Sequence, residues 1–337
     1  MWAVDNRTPF AADRTWVRDK TGMHHWIVAV KATFAVAPDG ALSLADEQLP
    51  PLLAPEHFGD PATSSIRYEA DLGPMKPATD VLINGSAHAP GGRPARSVTV
   101  GLRVDGRQKA LVVYGERVYQ EALGGRIEAR DVAPFVTRPI RYELAWGGTD
   151  TRAADPSRHG HDPRNPIGRG FAVDATSLIG ERAHAVEWAE GTDAHRGPAG
   201  FGAIASWWSP RREFAGTYDA AWSRSKRPLL PDDYDDRFTL CAPPDQRVEG
   251  YLRGGEVIEL VNLTPQGVMR VTLPRHYFTF TTWLDDDRKE HLGRLVTVVI
   301  EPDAARLLMT WQTSLPVSSA AMAYLDETCV RERPHLG

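Results

Sequence analysis

Turn residues interrupt this chain at short, even intervals, and that spacing constrains its fold more than any other feature. Gly and Pro supply 29 and 26 of the 337 residues, about one residue in six against an average near one in eight. They are scattered along the chain and not gathered into a linker. Between them lie runs rich in β-branched and aromatic residues, the composition of strands bounded by turns. His25–Ala37 reads HWIVAVKATFAVA and ends at Pro38-Asp39-Gly40. Asp80–Ala87 is a second run. Arg96–Val104 and Lys109–Tyr114 flank Asp105-Gly106, a dipeptide suited to a tight hairpin turn. Pro139–Trp146, PIRYELAW, alternates and stops at Gly147-Gly148. From Arg247 onward come RVEGYL, EVIELVNL, VMRVTL and HYFTFTTWL, then Gly293–Glu301 and Arg306–Gln312. Turns about every ten residues predict a mostly-β protein built as sandwich-like halves.

Helix signals are few. Thr217–Ser225 reads as one short helix capped by Thr217, and Ser318–Glu327 as another capped by Ser318 or Ser319. The stretch from about 147 to 213 differs from its flanks, being rich in Gly, Pro, Arg, His and Asp and weakly periodic. It divides the chain into a β-rich half 1–146, a loop-rich middle 147–246 and a second β-rich half 247–337. Trp188, Trp207, Trp208 and Trp222 fall in the middle, so an ordered insertion packed by aromatics is expected there.

A formal net charge of -5 gives no basic footprint, which argues against nucleic acid and membrane surfaces as partners. No run is long and apolar enough for a membrane helix. The N-terminal MWAVDNRTPFAADRTW has no apolar core of a secretory signal, so the cytoplasm is the expected location. Cys241 and Cys329 are too few for a disulfide framework and read as small buried residues.

Three places invite a chemical reading. His159, His161 and Asp162 could hold a metal, yet Gly160 and Pro163 place them on a loop without metal-ligand spacing. Asp232, Asp233, Asp235 and Asp236 could supply the carboxylate pair of a glycosidase, although adjacent acids on a loop ordinarily face water and Arg237 is a ready partner. Asp71, Lys76 and Asp80, set among Pro74 and Pro77, form either a polar contact surface or a loop that locks a strand. No nucleophile elbow, P-loop or dinucleotide fingerprint is present. No catalytic residue, cofactor or metal is expected.

Ordered blocks carry a family resemblance. Asp71–Ala87 contains Asp71, Pro74, Lys76, Pro77, Asp80 and Gly85. Further on come Tyr142-Glu143 and Trp146-Gly147-Gly148, then Asn165, Pro166 and Gly168 in NPIGRGF. After these stand Asp219 with Trp222, Asp235 with Arg237, Asp245-Gln246, and Gly254-Gly255-Glu256. Together they resemble a bacterial family of unknown function associated with type VI secretion. The resemblance implies an adaptor or chaperone that binds a secreted effector or a spike-tip protein of the VgrG or PAAR kind. It implies no active site and leaves the oligomeric state open. An adaptor needs exposed aromatic and arginine anchors, and Trp207, Trp208, Arg211, Arg212, Tyr218 and Trp222 are the candidates, with core filling as the plain alternative for each tryptophan. A β-sandwich hydrolase of cell-wall sugars or lipid, and a structural component of the spike, remain as rival readings.

Overall fold

The computed structural model describes residues 2–189 and 197–333. It is mostly β, with 44% strand and 11% helix, as the turn spacing predicts. The largest sheet has seven strands. Its main path runs Arg247–Val248, Thr79–Ile83, Arg294–Glu301, Arg306–Val317, His24–Val36, Ala11–Arg18, and Leu42–Leu44 adds to the side of His24–Val36. All neighbours are antiparallel except Thr79–Ile83 beside Arg294–Glu301. Strands from 1–146 and from 247–337 are interleaved in it, so the two strand-rich segments share one sheet.

Two further sheets feed the same core. A five-stranded sheet carries the expected hairpin, Ser97–Val104 with Arg107–Tyr114, flanked by Val186–Trp188 on one side and by Val257–Val261 and Val268–Thr272 on the other. A four-stranded sheet joins Ala3–Asn6, Leu325–Glu332, Phe278–Leu284 and Asp287–Leu292. Period-two alternation aims Val28, Val30, Phe34, Val81, Ile83, Val298, Ile300 and Met309 from the large sheet into one apolar core. Val100, Leu102, Leu111, Ile258, Phe278 and Phe280 meet them there from the other two sheets. Among the described residues none of the sheets closes into a barrel.

The opposite face of the large sheet is unlike the first. Lys31, Thr33, Asp80, Thr297, Thr310 and Gln312 are all buried on it, beside Leu82, Val299 and Leu308. Loops cover this face and bring Tyr68, Ile204, Trp208 and Cys241 down onto it. This polar, loop-covered side positions the candidate surface.

Three local expectations are corrected. Pro139–Trp146 is not a strand: Tyr142–Leu144 forms a 3-10 turn. The Tyr142 hydroxyl donates to Gly202 O at 2.7 Å, and its carbonyl accepts from Asn165 at 2.8 Å, which draws the middle of the run out of a ladder while its end residues Pro139 and Trp146 still pair. The helix near 217–225 is shorter than expected, Ala220–Ser225, and its cap is Asp219, whose carboxylate accepts the Trp222 N–H at 2.8 Å. Ser318–Glu327 is not a helix. A turn at 319–321 leads into the single 3-10 turn Met322–Tyr324, and Leu325–Glu332 pairs with two strands. Burial of Leu325 and Val330 in the core outweighs the helix propensity of the Ala-rich stretch.

Candidate protein-contact surface

The charged motif residues brace the loops over the sheet. Asp71 is 7% exposed. Its carboxylate accepts from Lys31 Nζ at 2.7 Å, the Leu52 N–H at 3.0 Å and the Thr310 hydroxyl at 2.8 Å. Asp80 is fully buried and accepts from Lys76 Nζ at 2.8 Å and from the N–H groups of Cys241 and Ala242 at 2.8 and 3.1 Å. Burial would raise the Asp80 carboxyl, but the Lys76 ammonium and these donors outweigh it and hold it below the ordinary carboxylate value. Lys76 also donates to Thr297 at 2.9 Å. Pro74 and Pro77 lie exposed on the linking loop.

Cys241 is more than filler. Its sulfur lies 3.3 Å from Asp80 Oδ2 and 3.6 Å from Lys76 Nζ, and burial next to the carboxylate pushes the thiol up. Both cysteines are buried and free.

Other motif residues also hold backbone in place. The Asn165 amide donates to the carbonyls of Tyr142 and Trp146 at 2.8 and 3.0 Å. A Cβ at Gly168 would lie 2.4 Å from that amide nitrogen, so only glycine fits. Pro166 offers its carbonyl to Thr149 at 2.8 Å. At Gly85 a Cβ would meet the Pro302 ring at 3.1 Å. Gln246, wholly buried, donates to Val81 O and Phe201 O at 2.8 and 2.9 Å. Asp245 pairs with buried Lys109 at 3.1 Å. Burial lowers that lysine to about 8, against the opposing pull of Asp245. Gly254 and Gly255 take φ of 89° and 91°, and Glu256 accepts from the Arg253 and Gly254 N–H groups at 2.9 and 2.8 Å.

The six anchor candidates separate into two groups. Trp208 is 2% exposed and packs edge-on against Tyr142 at 5.4 Å. Arg211 is buried too; it donates to Phe238 O at 2.8 Å and Ile204 O at 2.9 Å and pairs with Glu69. These two are corrected from contact residues to core. The cause is the surrounding loops: the Tyr142 ring receives the indole, and Ile204 O, Phe238 O and Glu69 supply acceptors for the guanidinium. Trp207 is 51% exposed and stacks on His57 with centroids 6.3 Å apart. Arg212 is exposed. Tyr218 is 52% exposed and meets half-buried Trp222 edge-on at 4.8 Å. Glu69 and His57 were missed, because nothing in their local sequence marks them.

The places considered for chemistry are each tied locally. His159 bonds to Ala153 O at 2.8 Å, His161 is exposed on a two-residue strand, and Asp162 pairs with Arg164 at 3.0 Å. Among the described residues no three His, Cys, Asp or Glu lie close enough to hold a metal ion. Asp232 pairs with Lys226, Asp233 accepts from Thr217 at 2.8 and 3.0 Å, and Asp235 pairs with Arg237 at 2.6 Å and caps the turn Asp236–Thr239. No described helix is long and apolar enough to cross a membrane.

Sheets sharing a core, one of them covered on its far side by loops on buried ion pairs, define a mostly-β protein with a braced loop surface. The chain belongs to a family described as an uncharacterized protein conserved in bacteria, DUF2169, whose model matches residues 21–312. No curated protein and no solved structure matches it.

Proposed function

We propose that this chain is a type VI secretion accessory protein, an adaptor or chaperone that binds an effector or a VgrG or PAAR spike-tip protein for loading. The observation that carries the reading is the alternation within one short segment. Trp208 and Arg211 are fastened into the interior, and Trp207 and Arg212 stand outside on the same backbone. An exposed tryptophan on backbone fixed from below is already ordered, so a partner need not supply the entropy of ordering it. Tryptophan and arginine are the side chains that dominate interface energies, with truncation of a true anchor costing about 2 kcal/mol or more. Tyr218 extends the aromatic character of the segment.

The test is co-purification of the chain with VgrG, PAAR-domain and effector proteins from the same bacterium. Trp207→Ala is expected to weaken capture about thirtyfold with an unchanged thermal midpoint. Full capture by a variant lacking both Trp207 and Tyr218 side chains would overturn the reading.

A further inference from the structure

The Phe58 ring stands beside two guanidinium groups. Arg141 Cζ lies 3.9 Å from its centroid and Arg67 Cζ 5.9 Å. A pocket of about 440 Å³ opens around them, with Pro139 and Ile140 as apolar walls. Asn84, Ser86, Glu301 and Asp303 form its polar side.

The charges in this pocket are unevenly matched. Glu301 is fully engaged: the Tyr68 hydroxyl donates to its two oxygens at 2.7 and 2.8 Å, Arg306 Nε donates at 2.8 Å and Arg67 Nη2 at 3.3 Å. Two arginines therefore share one carboxylate. Asp303 accepts from the Ser86 hydroxyl at 2.7 Å and lies 3.3 Å from His88 Nε2. The half-buried Arg141 guanidinium makes no ion pair or hydrogen bond among the described residues; its contact is the Phe58 face. Stacking occupies the flat side of a guanidinium and leaves its edge, with the N–H fork, open. That fork matches a carboxylate in geometry and charge.

We propose that this pocket binds a carboxylate carried on a short apolar group, either a peptide C-terminus or a free aliphatic acid. The Arg141 edge receives the carboxylate, Arg67 adds positive field, and Phe58, Pro139 and Ile140 hold the apolar part. Asp303, with its side chain 42% exposed at the pocket, repels a second negative charge and so selects against phosphate. The inference rests on this geometry alone and not on the adaptor reading.

Calorimetry and ligand-observed NMR with four probes test it: N-acetyl-leucyl-leucine, its C-terminal amide, hexanoate and inorganic phosphate. The free acid is expected to bind at least about tenfold more tightly than the amide, a difference of about 1.4 kcal/mol, and more tightly than phosphate. Arg141→Gln is expected to weaken the acid by a similar factor. Phe58→Leu, which removes the stacking platform and keeps an apolar wall, is expected to do the same in case the first variant folds poorly. Dipeptide binding above hexanoate assigns the site to peptide ends; equal binding assigns it to free acids. Equal binding of acid and amide, phosphate binding above the acid, no saturable binding of either acid, or undiminished affinity in folded Arg141→Gln would overturn the proposal.

Discussion

Asp71 and Asp80 lie under loops, each held against a lysine and tied to groups far away in sequence, Thr310 for Asp71 and the Cys241 and Ala242 N–H groups for Asp80. Asp232, Asp233, Asp235 and Asp236 crowd one loop at the surface, where the partners of the first three carboxylates are no more than 16 residues distant. In sequence the second group looks the more chemical. In the fold the first group carries the greater energetic stake, because a buried charge that loses its partner cannot turn to water. Density of carboxylates says little; the solvent around them decides what each one does.

Removing one member of a buried pair should separate the two regions most widely. Asp80→Ala leaves Lys76 and two buried N–H groups without their acceptor, and a loss of about 3–5 kcal/mol in equilibrium urea unfolding is expected. A loss under about 1 kcal/mol would show that water reaches the site. A second, smaller contrast lies in pH dependence. Lys109 titrates at about 8 when folded, against an ordinary 10.5. Between those values the unfolded chain holds a proton that the folded chain has lost, so this group makes stability rise with pH across that window. Lys109→Met should flatten that rise, measured as urea midpoints from pH 8 to 10; an identical slope in the variant would remove Lys109 as its source. Asp235→Ala comes third, costing about 1 kcal/mol or less as a lost cap in a solvated turn. Asp232→Asn should leave the midpoint unchanged, and a clear drop would break the comparison from the exposed side.

Much of the strand pattern is legible before folding, for reasons particular residues make plain. Val28, Val30 and Phe34 alternate with Ala29, Lys31 and Thr33, and Asp105-Gly106 turns the hairpin as its chemistry requires. The lost readings are those where distant groups decide. Leu325–Glu332 becomes a strand because Phe278–Leu284 offers it a ladder. Arg211 goes inward because Glu69 waits 142 residues earlier. Trp207 and Trp208 are the same residue type side by side, and only the packing of Tyr142 and His57 separates their fates. Cys241 shows no sign in sequence of the carboxylate beside it. The stacking of Arg141 on Phe58 spans 83 positions, beyond the reach of any local pattern.

The pairing of His24–Val36 with Arg306–Val317 runs through twelve consecutive registers, and it has a consequence for synthesis. When His24–Val36 has just been synthesised, its most extensive neighbour is still some 270 residues from being translated. The same holds for Ala3–Asn6, which lies parallel to Leu325–Glu332. A strand of such hydrophobicity with an open edge is prone to join other chains. Completion of the large sheet waits for the last part of the message, and long-range pairing of this kind is slow. A stop codon before residue 294 would therefore remove two central strands together and leave His24–Val36 and Thr79–Ile83 without the neighbours that separate and satisfy them.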